Sequence, residues 1–252
     1  MTHSQFPNAG VRDKALDLLK WLAMVSMVMD HLRYVGWHAD WLYVPGRLAF
    51  PWFCLAIAMN VGRSTPALPT VTPPRSVQWK YLAWLLVFSC IAELPYRLYM
   101  AEEAYTLNVL PTLALGLLVA QGWASRAMGV RLLGGAALVV ALVFSDHLMF
   151  SAFGVLLPLA CLLVLRRPLW LTIVPGVVCL FSNAWRQIIE ASQWGDPVSV
   201  GALIACLLGP ALGMALLRGQ PPFGVLPMRR WAYAIYPLHF LVLLGVRELL
   251  AL

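Results

Sequence analysis

Charge is what this sequence has least of. Only 12% of its 252 residues are Asp, Glu, Lys or Arg, where a water-soluble domain carries roughly 25%. That shortage removes the solvated surface a soluble fold needs, and no polar stretch is long enough to fold as a separate soluble domain. A basic stripe is missing as well. The 18 Lys and Arg stand singly or in pairs, so the net charge of +7 is not gathered into a nucleic-acid-binding face. CxxC spacing is absent, and Cys54, Cys90, Cys161, Cys179 and Cys206 all lie in apolar runs without a neighbouring His. They read as small buried hydrophobes, and no metal is expected. No repeat of fixed period is visible; Asp-His-Leu occurs at 30–32 and 146–148, but the flanks do not align.

Hydrocarbon is what the chain has in abundance: 61% of residues are hydrophobic and the mean hydropathy is +0.77. Breaking the sequence at Pro, Gly and charge clusters gives nine apolar spans, at about 15–35, 45–62, 79–99, 106–122, 130–145, 150–165, 169–185, 199–217 and 231–250. The expected fold is all-α, one polytopic membrane domain over residues 1–252. Arg12, Lys14 and Lys20 before the first run imitate a secretory signal, but that run continues to about Val35 and holds Asp30 and His31, so it is read as a retained first helix. Residues 62–78, with Pro66, Pro69, Pro73 and Pro74 among Ser and Thr, read as a Pro-rich loop.

Assigning loops alternately to two sides puts 13 of the 18 basic residues on the side of the N-terminus. The rest, Arg33, Arg47, Arg97, Arg186 and Arg247, fall opposite with most of the acids. The positive-inside rule then makes the N-terminus and the 62–78 loop cytoplasmic.

An ionisable group inside hydrocarbon costs on the order of 3 kcal/mol even on lenient scales, so each needs a partner, a wet cavity or a task. Asp30 and His31 lie about ten residues beyond Lys20, roughly 15 Å further along the helix axis, in the outer half. Arg47 opens the second span, Glu93 and Arg97 close the third, Asn108 and Thr112 open the fourth, and His239 lies in the last. This convergence of polar groups at one depth marks a candidate site. His31 is suited to general-base work, and Asp30 or Glu93 can orient it. Arg47 and Arg97 can hold an anion or an oxyanion, with Asn108 and Thr112 as neutral donors and His239 as a further member. Structural roles are available to the same residues: a pair bonding neighbouring helices, a snorkelling Arg47, or groups satisfying backbone freed at Pro95 and Pro237.

The stretch Leu16-Asp17-Leu18-Leu19-Lys20-Trp21-Leu22-Ala23 followed by Met27-Val28-Met29-Asp30-His31-Leu32 resembles the opening signature of the TraX family. Gly46 to Phe53, Asn108 to Gly116, Asp146 with Gly154-Val155-Leu156, and Tyr236-Pro237-Leu238-His239 resemble later ones, in order along nearly the whole chain. The first helix is also similar to that of the wider membrane acyltransferases, where a basic residue precedes an essential His by about one helix depth. The resemblance implies a bacterial inner-membrane enzyme that transfers acetyl from acetyl-CoA to the N-terminal amine of a pilin. In that reading His31, Asp30 and Arg47 are catalytic, and Lys20 and Lys14 receive the phosphates of the donor. Glu93, Arg97, Asn108, Thr112 and His239 serve the substrate or the oxyanion. Membrane lipid and a pilin-like protein are the expected partners. Rival readings are O-acetylation of a surface glycan, a proton-coupled transporter, and a non-catalytic assembly factor.

Overall fold

The computed structural model describes residues 13–36, 39–64, 77–219 and 221–250, and among them the fold is entirely helical. The helices are α1 Lys14–Leu32, α2 Tyr43–Gly46, α3 Ala49–Ser64, α4 Trp79–Met100, α5 Val109–Ala124 and α6 Met128–Val143. They continue with α7 Ser151–Val164, α8 Ile173–Ser182, α9 Trp185–Gln193, α10 Pro197–Arg218 and α11 Ile235–Leu250. Each apolar span expected from sequence contains one of these helices. The Pro-rich loop is shorter at its start than expected, because α3 carries on through Gly62 and Arg63 to Ser64. The rest of it, residues 65–76, lies outside the described residues, as does Arg12.

Length and composition qualify four helical segments to cross a membrane: Asp40–Arg63, Trp79–Glu103, Pro197–Arg218 and Trp231–Leu250. A fifth candidate is Leu169–Ser182 with Trp185–Gln193, bent by 97° at the break. The helices α5, α6 and α7 are apolar but shorter, so by this measure four or five segments qualify where nine spans are expected from sequence. Their outer faces nevertheless suit lipid. Val87, Ile91, Leu94 and Leu98 form an exposed apolar stripe on α4, and Val200, Ile204, Leu208 and Leu212 form another on α10. Such stripes at helical spacing would be costly in water and are unremarkable against acyl chains.

Polar contacts pin the bundle at two ends. At one end Asp13 caps α1 by accepting from Leu16 N–H at 3.0 Å and pairs with Arg63, while Gln78 donates to the Asn60 carbonyl at 3.4 Å. At the opposite end Tyr99 Oη donates to the His31 carbonyl at 2.7 Å, and Leu107 N–H donates to the His147 carbonyl at 2.9 Å. Between them the core is apolar, built on Leu19, Leu55, Ile57, Leu117, Leu157, Met214 and Phe240. The helices α5 and α6 touch through glycine: a Cβ on Gly134 would lie 2.8 Å from the Gly122 Cα. Backbones this close gain dispersion contacts that larger residues would prevent.

One helix was not anticipated. The segment Trp185–Gln193 carries Arg186, Gln187 and Glu190 among its apolar residues, too polar to register as a span, yet it folds as α9 directly after the sharp break at Asn183.

Candidate functional site

The residues of the polar end divide into three linked groups. In the first, Arg47 bridges three elements. Its Nη2 donates to Asp30 Oδ2 at 2.7 Å, and its Nη1 donates to Asn183 Oδ1 at 2.6 Å. Its guanidinium lies 4.1 Å from the centre of the Tyr43 ring. Arg33 adds a second cation, with Nε 3.5 Å from Asp30 Oδ1, and donates to Tyr34 Oη. Gly46 makes this approach possible: a Cβ there would fall 2.5 Å from Asp30 Oδ1. Among the described residues, six buried polar side-chain atoms have no hydrogen-bond partner, and three lie here: Asp30 Oδ1 and Arg33 Nε, which face each other in the 3.5 Å ion pair, and Arg47 Nε, which is left with no partner of its own.

The second group is centred on two histidines. His31 Nδ1 lies 3.2 Å from His239 Nε2, joining α1 to α11, and the His239 Nδ1 lies 3.3 Å from the Ile235 carbonyl. A carbonyl only accepts, so Nδ1 of His239 carries the proton there, and its Nε2 is left as an acceptor. The proton between the rings therefore belongs to His31 Nδ1. His31 Nε2 is then the bare, basic nitrogen. Phe240 packs edge-on to His31 with centroids 4.9 Å apart, which holds the ring in place.

The expectation that Asp30 orients His31 gives way here. Successive residues of a helix point about 100° apart and do not face one another. Asp30 accordingly turns to Arg47 while His31 turns to His239, which takes over the orienting role.

Glu93, Arg97 and Asn108 form an adjoining cluster. Glu93 Oε1 accepts from Arg97 Nε at 2.8 Å, and its Oε2 accepts from Asn108 Nδ2 at 2.7 Å and from Asn108 N–H at 3.1 Å. Asn108 also caps α5, its Oδ1 accepting from Leu110 N–H at 3.0 Å. Glu93 thus satisfies side chain and backbone at the start of α5, and it has no contact with His31. Thr112 is likewise engaged: its hydroxyl donates to the Met149 carbonyl at 2.6 Å, beside the left-handed Phe150 and Ser151 at φ 68° and 56°. The two clusters meet at Tyr236, whose Oη accepts from Val109 N–H at 3.4 Å and whose ring packs on His239 with centroids 5.6 Å apart.

Of the two lysines, Lys20 lines a cavity of about 680 Å³ between α1, α3, α4, α5 and the segment before α11, whereas Lys14 is exposed and does not line it. No cluster of three His, Cys, Asp or Glu able to hold a metal occurs among the described residues. Asn183, which ends the seventh span, belongs to the polar groups that the sequence gathers in the outer half, but no role is assigned to it there. Tyr99 and Tyr236 were missed, because aromatics in a membrane chain usually pack or sit at the interface.

Residues 15–247 match the family described as TraX protein. The chain belongs to the TraX family. No curated protein and no solved structure matches it. The match spans every residue of these clusters, from Asp30 to His239, and Lys20 of the cavity.

Proposed function

We propose that this TraX-family chain is an acetyl-CoA-dependent N-acetyltransferase of the bacterial inner membrane. It acts on the N-terminal amine of a pilin subunit, with its own N-terminus cytoplasmic. Family membership supports a role in the conjugative pilus pathway and a pilin partner. The observation that carries the catalytic reading is the His31–His239 contact at 3.2 Å, because it leaves a basic imidazole nitrogen fixed at the polar end of the bundle.

The chemistry is acyl transfer. The neutral acceptor amine adds to the thioester carbonyl carbon, a C–N bond forms, and His31 Nε2 takes the amine proton. The C–S bond then breaks, the sulfur leaves with the bonding pair, and His31 returns the proton to it as free thiol. His239 accepts from His31 Nδ1 throughout and steadies the imidazolium. Arg47, fixed by Asp30 and Asn183, keeps positive potential beside the site and favours the developing oxyanion.

Purified protein given labelled acetyl-CoA and a peptide with the pilin N-terminus tests this directly. Free CoA should appear together with a peptide heavier by one acetyl group. His31→Ala, inserted and folded as wild type, should slow release by at least about 100-fold, the lower bound for a positioned base. An unchanged rate would remove His31 from the mechanism.

A further inference from the structure

The cavity of about 680 Å³ is absorbed by none of the contacts described so far, and its two ends differ. Lys20 and Arg229 line one end together with Asn60 and Tyr81. Neither Lys20 nor Arg229 has a carboxylate at ion-pair distance among the described residues, although Asp17 and Asp13 lie within electrostatic reach of Lys20. The middle is apolar, with Phe53, Ile57, Leu85 and Leu113 in its walls. At the far end stands Tyr236, 6% exposed, whose oxygen accepts from Val109 N–H and whose own proton has no acceptor among the described residues. Asn108, next to Val109, bonds the Ser89 carbonyl. Ser89 is eight residues beyond Tyr81 on α4, so the two ends are separated by roughly 12 Å of helix.

Two cations without a carboxylate at ion-pair distance among the described residues, an apolar passage and the Tyr236 hydroxyl at the far end describe a receptor for a long, flexible molecule. That molecule is anionic at one end and carries a hydrogen-bond acceptor at the other. Resting on the acyl-transfer reading, we propose that this cavity seats the acyl donor. Arg229 and Lys20 hold its phosphates, its thioester arm lies along α3 and α5, and Tyr236 donates its phenolic proton to the thioester carbonyl oxygen. Tyr236 packs on His239, which meets His31; neither histidine lines the cavity, so its far end lies two side chains from the base. When the amine adds, the carbonyl π pair moves onto the oxygen held by Tyr236. It returns to re-form the carbonyl as the C–S bond breaks.

The segment that closes the cavity is itself anchored. Trp21 Nε1 donates to the Leu226 carbonyl at 3.0 Å, and Tyr233 stacks between Trp84 and Phe88 with centroids 6.2 and 5.6 Å away. Arg229 is therefore carried on a strap fastened to α1 and α4, not on a free loop.

The test is equilibrium binding of CoA to the full-length protein in lipid nanodiscs, with transfer assayed alongside. Arg229→Gln, at an exposed position that leaves the core untouched, should weaken CoA at least tenfold while binding of phosphate-free pantetheine stays within twofold. Leu113→Trp should fill the passage and weaken both. Tyr236→Phe should keep CoA affinity within twofold and lower kcat without raising KM for acetyl-CoA. Wild-type CoA affinity in both Arg229→Gln and Leu113→Trp would overturn the assignment, and if those variants still acetylate, acyl transfer stands without it. Native mass spectra showing a phospholipid that CoA does not displace would also overturn it, marking a lipid site. Wild-type protein that neither binds CoA nor releases it from acetyl-CoA would remove the acyl-transfer reading itself.

Discussion

A histidine pair behaves differently from a histidine and a carboxylate. With Asp30 turned to Arg47, His31 is fixed by the neutral ring of His239 and by the Met27 backbone carbonyl, and the first of these depends on an acceptor being present at the His239 position. A His239→Gln substitution can supply that acceptor through its amide oxygen, whereas His239→Leu cannot. The expected outcome is a kcat within about tenfold of wild type for Gln and a loss of about 100-fold or more for Leu, read in the same CoA-release assay. The Asp30–Arg47 pair makes a separate prediction. Its side chains are 17% and 10% exposed, so removing one partner strands the other. Arg47→Met should destabilise the folded protein by about 3 kcal/mol or more, and the double change Asp30→Leu with Arg47→Met by less than the single one. Unfolding in detergent, followed by tryptophan fluorescence, distinguishes these cases.

The helices owe their positions to contacts that single residues control. Gly122 and Gly134 let α5 and α6 touch, and Gly134→Val should separate them; the check is a lowered unfolding midpoint with activity lost only in proportion to unfolded protein. Gly46→Ala is the contrasting case, because its Cβ would displace Asp30 rather than a helix. Asp196 caps α10 by accepting from Ser199 N–H at 2.7 Å, and hydrogen bonds from the Ser199 side chain, then its backbone N–H, hold the carboxyl below the usual carboxylate range. A depressed folded value stabilises above the unfolded pKa of about 3.9 and is lost as pH falls through the folded one. Asp196→Ala should thus lower the melting temperature at pH 7, and the difference from wild type should shrink as pH falls through the depressed folded value.

At this scale the sequence was readable where an apolar run was long and cleanly bounded by Pro, Gly or charge. Every apolar run became a helix, because hydrocarbon-length runs have few other ways to satisfy their backbone. The short polar α9 went unseen for the converse reason. The meeting of polar groups was legible from residues whose charge is expensive in lipid: Asp30 reaches Arg47 and His31 reaches His239 at one end of the bundle. Pairing was not legible. Whether Asp30 meets His31 or Arg47 depends on helix rotation, and Thr112 or Glu93 can serve a turn or a substrate equally well until their acceptors are known. Tyr236 and Arg229 carried no signal of their own, since only the packing of α5 and the strap before α11 brings them to one cavity.

Over the whole molecule, polarity is arranged in a gradient. One end carries Lys14, Lys20, Arg63, Arg218 and Arg229, the middle is apolar, and the far end holds the histidines with Asp30 and Arg47. A bilayer would take the apolar middle, leaving the basic end in the cytoplasm by the positive-inside rule. Donor and acceptor would then approach from opposite faces, the donor past Arg229 and the pilin amine past Asn183 and α9. Labelling of single cysteines placed at Lys14 and at Trp194 with a membrane-impermeant maleimide should mark only Trp194 in intact spheroplasts. The most direct test of the account is intact-mass analysis of the pilin N-terminal peptide after incubation with acetyl-CoA and reconstituted protein, wild type against His31→Ala. The account predicts one added acetyl group on the terminal amine with wild type and none above background with the variant. An unmodified peptide with active, CoA-bound wild type, or equal acetylation by both proteins, would contradict it.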